Sequence, residues 1–414
     1  MLNGAAAPST CGGVAGTGPD RRFRTVTTNP GQNSSADPVR ILITGGGTGG
    51  HVYPGLAVAE ALLALAPRVE PRFVGTRKGL EAILVPRAGH RFVTVPASGV
   101  RGLGGWARLL FLVNFLAGFL RSLALILAWR PAVVLGTGGY VIAPVMAAAR
   151  VLGVRCVLQE QNAVPGSANR LVARWAERIF LGFGAAAGYF PEGRTVVTGN
   201  PVRAAFGAPA IGVGEGDEFL ANAPAGGRVL VFGGSGGART LNRALDGRPG
   251  LWLGNPERTL WIQTGRSDLA EVEAAFGKAT PGRVRIVPYI QDMARALAWA
   301  DLVVSRSGAM TLAELQALGK PAILVPFPHA TDDHQLHNAE DCARAGAALV
   351  IPDDRCTPET LCAAVDELLS DPGRLAAMGR AAQGLSRPEA AREIAREILT
   401  LIGHGPEGES PVVP

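Results

Sequence analysis

Four times in this chain a short aliphatic run enters a glycine-rich turn that leads into a segment of helical period. Val39–Thr44 enters Gly45-Gly46-Gly47-Thr48-Gly49-Gly50-His51, and Ala132–Gly136 continues into Thr137-Gly138-Gly139-Tyr140. Arg228–Gly233 enters Gly234-Ser235-Gly236-Gly237-Ala238-Arg239, and Leu302–Ser305 enters Arg306-Ser307-Gly308-Ala309-Met310-Thr311. A strand that reaches its neighbour through a helix must lie parallel to it, so the pattern demands parallel sheets covered by helices on both faces. Further strands are predicted at Pro71–Gly75, Arg91–Pro96, Arg155–Glu160, Arg178–Gly182 and Thr195–Gly199, then at Leu260–Thr264, Val284–Ile290, Ala322–Pro326 and Ala348–Ile351. Helices are expected from about Pro54 to Ala66 and Gly104 to Trp129, and three more close the chain near Thr357–Leu369, Arg374–Leu385 and Pro388–Leu401. With 47% hydrophobic but only 6% aromatic residues, the core must be built from Ala, Val, Leu and Ile.

The alternation breaks once, and this sets the domain organisation. Residues 1–38, rich in small and polar residues and without a signal peptide's apolar run, read as a disordered N-terminal tail. Residues 39–203 form one Rossmann-like domain, 204–227 a Gly/Ala/Pro-rich linker with no convincing strand or helix, and 228–385 a second Rossmann-like domain. Residues 386–403 are a C-terminal helix able to pack back on the first domain. The fold class is therefore α/β, two doubly wound domains facing across a cleft between the carboxyl ends of their sheets, where ligands bind in this class.

The net charge of +6 is unevenly distributed. Between Glu81 and Glu160 there is no acidic residue but eight arginines, among them Arg101, Arg108 and Arg121, so this block carries +8 and the rest of the chain −2. Such a surface faces nucleic acid, an anionic membrane or phosphorylated substrates. Within it Leu109–Ala128 has the length of a membrane span, but Arg121 would cost about 2.5–3.5 kcal/mol there. The expectation is a half-buried helix whose apolar residues, beside Trp106, Arg101 and Arg108, rest on an anionic membrane surface. Five cysteines without a CxxC pair indicate neither a disulfide framework nor a zinc cage, and fit a reducing cytoplasm.

Glycine turns at strand ends let backbone N–H groups approach an anion, and the following helix N-terminus adds positive charge. Four of them in two domains point to a phosphate-bearing donor held in the cleft. The chain lacks GxxxxGK[ST], which argues against a P-loop kinase, and Glu70 precedes its strand, a weak match to a dinucleotide fingerprint. His51 stands at the mouth of the cleft. Glu314, in the first turns of the helix beginning near Met310, can accept two hydrogen bonds from a ribose diol. The polar ends Gln159-Glu160-Gln161-Asn162 and Gly199-Asn200-Pro201-Val202-Arg203 are expected to point into the cleft. In His329–Asn338 the Asp and His residues suggest metal ligands, but a helix starting near Asp332 or Asp333 makes the aspartates caps, so no metal is predicted.

Taken in order, GGGTGGHVYPGLAVAEAL, SGVRG, VLGTGGYV, LQEQNAVPG, GNPVR, GGSGGAR, SRSGAMTLAEL and VPFPHATDDHQLHNA resemble the MurG family of bacterial peptidoglycan glycosyltransferases, from Val39 to about Leu349. The resemblance implies a GT-B fold and inverting transfer of N-acetylglucosamine from UDP to the 4-hydroxyl of lipid-linked muramyl-pentapeptide. It implies no cofactor, no nucleic acid, a peripheral place on the cytoplasmic face of the cell membrane, and partners in cell-wall synthesis. It puts Thr48, Gly49 and Gly50 beside the donor, with Asn162 and Arg203 reaching it from the first domain. Ser235 would contact the diphosphate and the Ile290 backbone the uracil. Ala309, Met310, Thr311, Leu312, Ala313 and Glu314 would form the diphosphate and ribose grip, Gln335 would bind the sugar, and His51 would be the base. One departure is Gly236, where the family often has Gln. Outside this reading stand another GT-B UDP-sugar transferase, a UDP-sugar epimerase of related fold and a non-catalytic nucleotide-sugar binding module.

Overall fold

The computed structural model describes residues 38–99, 105–207, 217–234, 236–277, 282–330 and 333–404, with the side chains of 105–108 excluded. Residues 1–37 of the expected tail, Arg101 and Ser235 therefore lie outside the described residues, as do the side chains of Trp106 and Arg108.

The first half runs β1 (Val39–Gly45), α1 (Gly49–Leu65), β2 (Val69–Gly75), α2 (Glu81–Arg87), β3 (Arg91–Thr94), α3 (Gly105–Trp129), β4 (Val133–Gly138), α4 (Ile142–Val151), β5 (Arg155–Glu160), α5 (Ser167–Val172), β6 (Arg178–Leu181), β7 (Thr195–Val197). The second runs α6 (Glu218–Asn222), β8 (Arg228–Phe232), α7 (Arg239–Asp246), α8 (Pro249–Leu253), β9 (Thr259–Gln263), α9 (Leu269–Phe276), β10 (Val284–Val287), α10 (Met293–Trp299), β11 (Leu302–Ser305), α11 (Ala309–Ala317), β12 (Ala322–Leu324), α12 (His334–Arg344) and β13 (Ala348–Val350). Helices α13 (Pro358–Leu369), α14 (Pro372–Gly384) and α15 (Ala390–Leu401) follow.

Every strand pairing is parallel, in a seven-stranded sheet ordered β3-β2-β1-β4-β5-β6-β7 and a six-stranded sheet ordered β10-β9-β8-β11-β12-β13. Each sheet reverses its winding once, between β1 and β4 and between β8 and β11. The four glycine turns all leave these strands, so both switch points, where α/β sheets open a crevice, are lined by them. Apolar clusters cover both faces of each sheet. Helix α15 lies along α1, its Ile394, Ala395, Ile398 and Leu399 fully buried in the same cluster as Ile41 and Leu56.

Three local readings are corrected. Helix α1 begins at Gly49 rather than near Pro54, with Pro54 inside it, so His51 belongs to its first turn and not to the loop. The two glycines disguised the start because they carry no helical preference. Helix α2 was not anticipated; it is seven residues long with an internal Pro86. The segment expected to be without helix contains α6, whose N-cap Asp217 accepts from the Leu220 N–H and whose Phe219 and Leu220 are buried.

Helix α3 packs along α4 through Gly118, Ser122 and Ile126; a Cβ on Gly118 would collide with the Pro96 carbonyl oxygen. Its Leu109–Trp129 part is long and apolar enough to cross a membrane. One face is committed to the protein, while Leu109, Leu112, Val113, Leu116 and Leu120 form an exposed stripe of helical period, each more than half exposed.

Candidate active site

The first wall of the cleft is the turn after β1. Thr48 takes the N-cap position of α1 without a side-chain cap, and His51 follows in the first turn. Beneath the turn lies Glu81, 1% exposed. Its carboxylate accepts from the Gly47 N–H at 2.9 Å and from the Thr76 N–H and hydroxyl, each at 2.8 Å. One donor of the glycine turn is thus already taken by the protein's own carboxylate. Against it lies the turn after β4, where Gly139 has φ +81° and a Cβ there would collide with the Gly46 carbonyl oxygen. Only glycine allows the two turns to touch.

The second wall is the N-terminus of α11. Gly308 caps it, and the N–H groups of Ala309, Met310 and Thr311 precede the first intrahelical bond, Leu312 N–H to the Gly308 carbonyl at 3.0 Å. One turn further on, Glu314 is 8% exposed. Burial pushes its carboxyl up to about 7, with the Arg203 guanidinium pulling the other way. Arg306 is also buried; it donates to the Val325 and Pro326 carbonyls at 3.0 and 3.1 Å and pairs with Asp353. Gln335 accepts from the Phe327 N–H at 3.1 Å.

Contacts cross the cleft at its rim. The Tyr53 and Tyr289 hydroxyls lie 2.9 Å apart, and the Arg203 guanidinium stands 4.7 Å from the Tyr53 ring centroid and 5.3 Å from that of Phe206. Burial, then the bond to Tyr289, hold the Tyr53 hydroxyl well above its ordinary range. Among the described residues the buried Arg203 Nε has no partner.

These walls enclose a cavity of about 470 Å³. Of the residues singled out in the sequence, Thr48, Gly49, Gly50, His51, Asn162, Arg203, Ile290, Ala309, Met310, Thr311, Glu314 and Gln335 line it. Leu312 and Ala313 do not: Leu312 is buried in the second domain's core, and Ala313 faces a separate cavity of about 530 Å³ behind α11. A stretch of helix cannot aim six consecutive side chains the same way. Gly236 is on the cavity wall, and a Cβ there would meet nothing within 4 Å, so the gap is open space. Of the polar strand ends, Gln161, Asn162 and Arg203 line the cavity, while Gln159, Glu160 and Asn200 do not. Asp333 occupies the N-cap of α12 at φ +48° but makes no side-chain cap, and Asp332 lies outside the described residues. Among the described residues no three His, Cys, Asp or Glu side chains are grouped to hold a metal.

Tyr53, Gln263, Tyr289 and Arg306 also line the cavity and were not anticipated. Only Arg306 had a usable signal, its place between the β11 strand and the glycine of its turn.

Comparison with known proteins decides the family. The glycosyltransferase family 28 N-terminal domain matches residues 41–181 and its C-terminal domain residues 228–394. A Geobacter sulfurreducens protein named UDP-N-acetylglucosamine--N-acetylmuramyl-(pentapeptide) pyrophosphoryl-undecaprenol N-acetylglucosamine transferase is 42% identical over 87% of this chain and 98% of its own. The chain belongs to the MurG branch of glycosyltransferase family 28. Among solved structures, Acinetobacter baumannii MurG superposes with a TM-score of 0.65 at 30% identity, covering 88% of this chain and all of that one. The UDP-GlcNAc 2-epimerase of Neisseria meningitidis also superposes, at 0.63 over 87% of this chain and 100% of its own, but at 12% identity. That likeness shows that MurG proteins and the epimerase share a GT-B fold and says nothing of activity.

Proposed function

We propose that this chain transfers N-acetylglucosamine from UDP to the 4-hydroxyl of lipid-linked N-acetylmuramyl-pentapeptide, with inversion at the anomeric carbon. The observation that carries the reading is that His51 from the first domain and Glu314, with the α11 N-terminus, from the second wall one cavity in a chain of this family. Residues 228–385 are assigned the donor and residues 39–203 the acceptor, with 204–227 linking them.

The residues that line the cavity support the following roles. The N–H groups of Ala309, Met310 and Thr311 meet the diphosphate at the positive end of α11, Gly234 and Gly236 of the turn after β8 line the same cavity, and the contact of Ser235 with the diphosphate rests on the family resemblance alone. Glu314 accepts from the ribose diol, Ile290 meets the uracil through its backbone, and Gln335 and Asn162 hold the sugar, with Thr48, Gly49 and Gly50 beside it. In the transfer the acceptor oxygen forms its bond to C1 as the bond from C1 to the β-phosphate oxygen breaks. The electron pair leaves with UDP, whose charge the α11 N-terminus and Arg203 stabilise, and the hydroxyl proton passes to His51. The apolar stripe of α3 rests on the cytoplasmic face of an anionic membrane, where the lipid-linked acceptor is presented. A product of this kind feeds cell-wall synthesis, and through it cell shape and division.

The test is product analysis with purified protein, labelled UDP-N-acetylglucosamine and lipid-linked muramyl-pentapeptide. Label is expected in a disaccharide lipid. An isomerised sugar nucleotide would indicate an epimerase, and unreacted donor a binding module; either refutes the proposal.

A further inference from the structure

We propose that Gln161, itself oriented by Gln159 and Asn200, is a positioning residue that holds the His51 imidazole in the tautomer protonated on Nδ1, leaving Nε2 as the free base. His51 Nδ1 lies 3.0 Å from Gln161 Oε1. Which of two such atoms donates depends on which way the glutamine amide faces, and here that direction is dictated by backbone carbonyls, which only accept.

The chain of constraint starts at Asn200. Its Nδ2 donates to the Gln161 backbone carbonyl at 2.9 Å, so its Oδ1 faces Gln159 and accepts from Gln159 Nε2 at 3.1 Å. Gln159 Nε2 also donates to the Glu160 carbonyl at 3.3 Å, which turns Gln159 Oε1 toward Gln161 Nε2, its donor. Gln161 Nε2 donates in addition to the Thr137 carbonyl at 2.7 Å and the Gln159 carbonyl at 3.3 Å. Flipping the Gln161 amide would set its oxygen against these acceptors. The oxygen therefore faces His51, and an amide oxygen requires a proton on Nδ1.

The surroundings enforce the arrangement. Gln159, Gln161 and Asn200 are 0%, 2% and 6% exposed, so water does not substitute for a lost bond, and each unmade bond is costly. The Thr137 hydroxyl donates to the His51 carbonyl at 2.7 Å, so one residue anchors both His51 and its partner. Gly138 seats the ring, since a Cβ there would stand 2.5 Å from Nδ1. The neighbouring carboxylate is committed elsewhere: Glu160 accepts from the Asn162 N–H at 2.9 Å, the Gly166 N–H at 3.2 Å and Asn169 Nδ2 at 2.7 Å. An uncharged amide, not a carboxylate, thus sets the tautomer.

The catalytic consequence rests on His51 being the base; the tautomer does not. The test is nitrogen NMR of the full chain labelled with 15N-histidine, the His51 signals assigned by their loss in His51→Ala among the six histidines. In the neutral ring Nδ1 is expected to show the protonated shift and Nε2 the unprotonated one. Gln161→Leu should redistribute the proton between the nitrogens and lower kcat by about 10²-fold while KM for the sugar nucleotide changes little. Should that variant not fold, the wild-type spectrum alone is decisive. A wild-type ring protonated on Nε2, or an unchanged spectrum in the folded variant, overturns the proposal. An active His51→Ala enzyme beside the expected spectrum would defeat the base assignment and leave the tautomer standing.

Discussion

Replacing Glu314 should convert a pH-dependent nucleotide site into a weak and nearly pH-independent one. Its carboxyl is raised from 4.5 to about 7, which at 1.36 kcal/mol per unit means that burying the charge costs about 3 kcal/mol in the free protein. About a tenth of the molecules are ionised at pH 6 and about nine tenths at pH 8. If the ribose hydroxyls bind only the carboxylate, affinity for UDP should rise about tenfold across that interval. Hydrogen bonds to a charged group are worth about 1.5–3 kcal/mol, so Glu314→Ala should lose about 10- to 150-fold at pH 8. Titration calorimetry of wild type, Glu314→Gln and Glu314→Ala at both pH values reads this directly, and Glu314→Gln subtracts the ionisation of UDP itself. Folding stability supplies a check of opposite sign. Because the folded pKa exceeds the unfolded one, the native state holds the proton more tightly, so stability falls as pH rises from about 4.5 to about 7 and then levels off. Glu314→Gln should lack this slope. Equal pH dependence of UDP affinity in wild type and Glu314→Gln, or unchanged affinity in a normally folded Glu314→Ala, would return Glu314 to a structural role.

His51→Ala should lower turnover by about 10²–10⁴-fold with little change in UDP affinity, measured by initial rates and calorimetry; near-normal rates would remove it from the chemistry. Glu81→Ala strands the Gly47 N–H, the Thr76 N–H and the Thr76 hydroxyl, and should cost about 3 kcal/mol or more by urea unfolding. A loss under about 1 kcal/mol would show that the turn does not depend on it. Wild-type protein should sediment with anionic liposomes and be released by salt, and joint replacement of Leu112, Leu116 and Leu120 by Ser should reduce binding more than about tenfold at unchanged UDP affinity, since each half-exposed leucine contributes about 1 kcal/mol on burial. Binding that ignores lipid charge, salt and these leucines would separate α3 from the membrane.

The layered architecture and the place of the site were legible in local pattern alone. Aliphatic runs such as β8 (Arg228–Phe232) and β11 (Leu302–Ser305) are recognisable because strands covered on both faces need continuous apolar residues, and glycine turns are recognisable because few backbones tolerate anything else. Together these local signals placed His51, Arg203 and Glu314 at one cleft. The tertiary structure decided where polar side chains at strand ends go. On β5 every residue after Arg155 is buried, so period-two alternation carries no information about inside and outside, and Gln159 turns toward Asn200 only because β6 and the chain after β7 bring that amide beside it. The Tyr53–Tyr289 contact joins residues 236 positions apart, and no local pattern announces it. Glu81 reads as a first-turn acid of a short helix until the glycines at 46, 75 and 79 are seen to leave the space its carboxylate fills. Such partners are chosen by distance in space, which a one-dimensional periodicity does not encode.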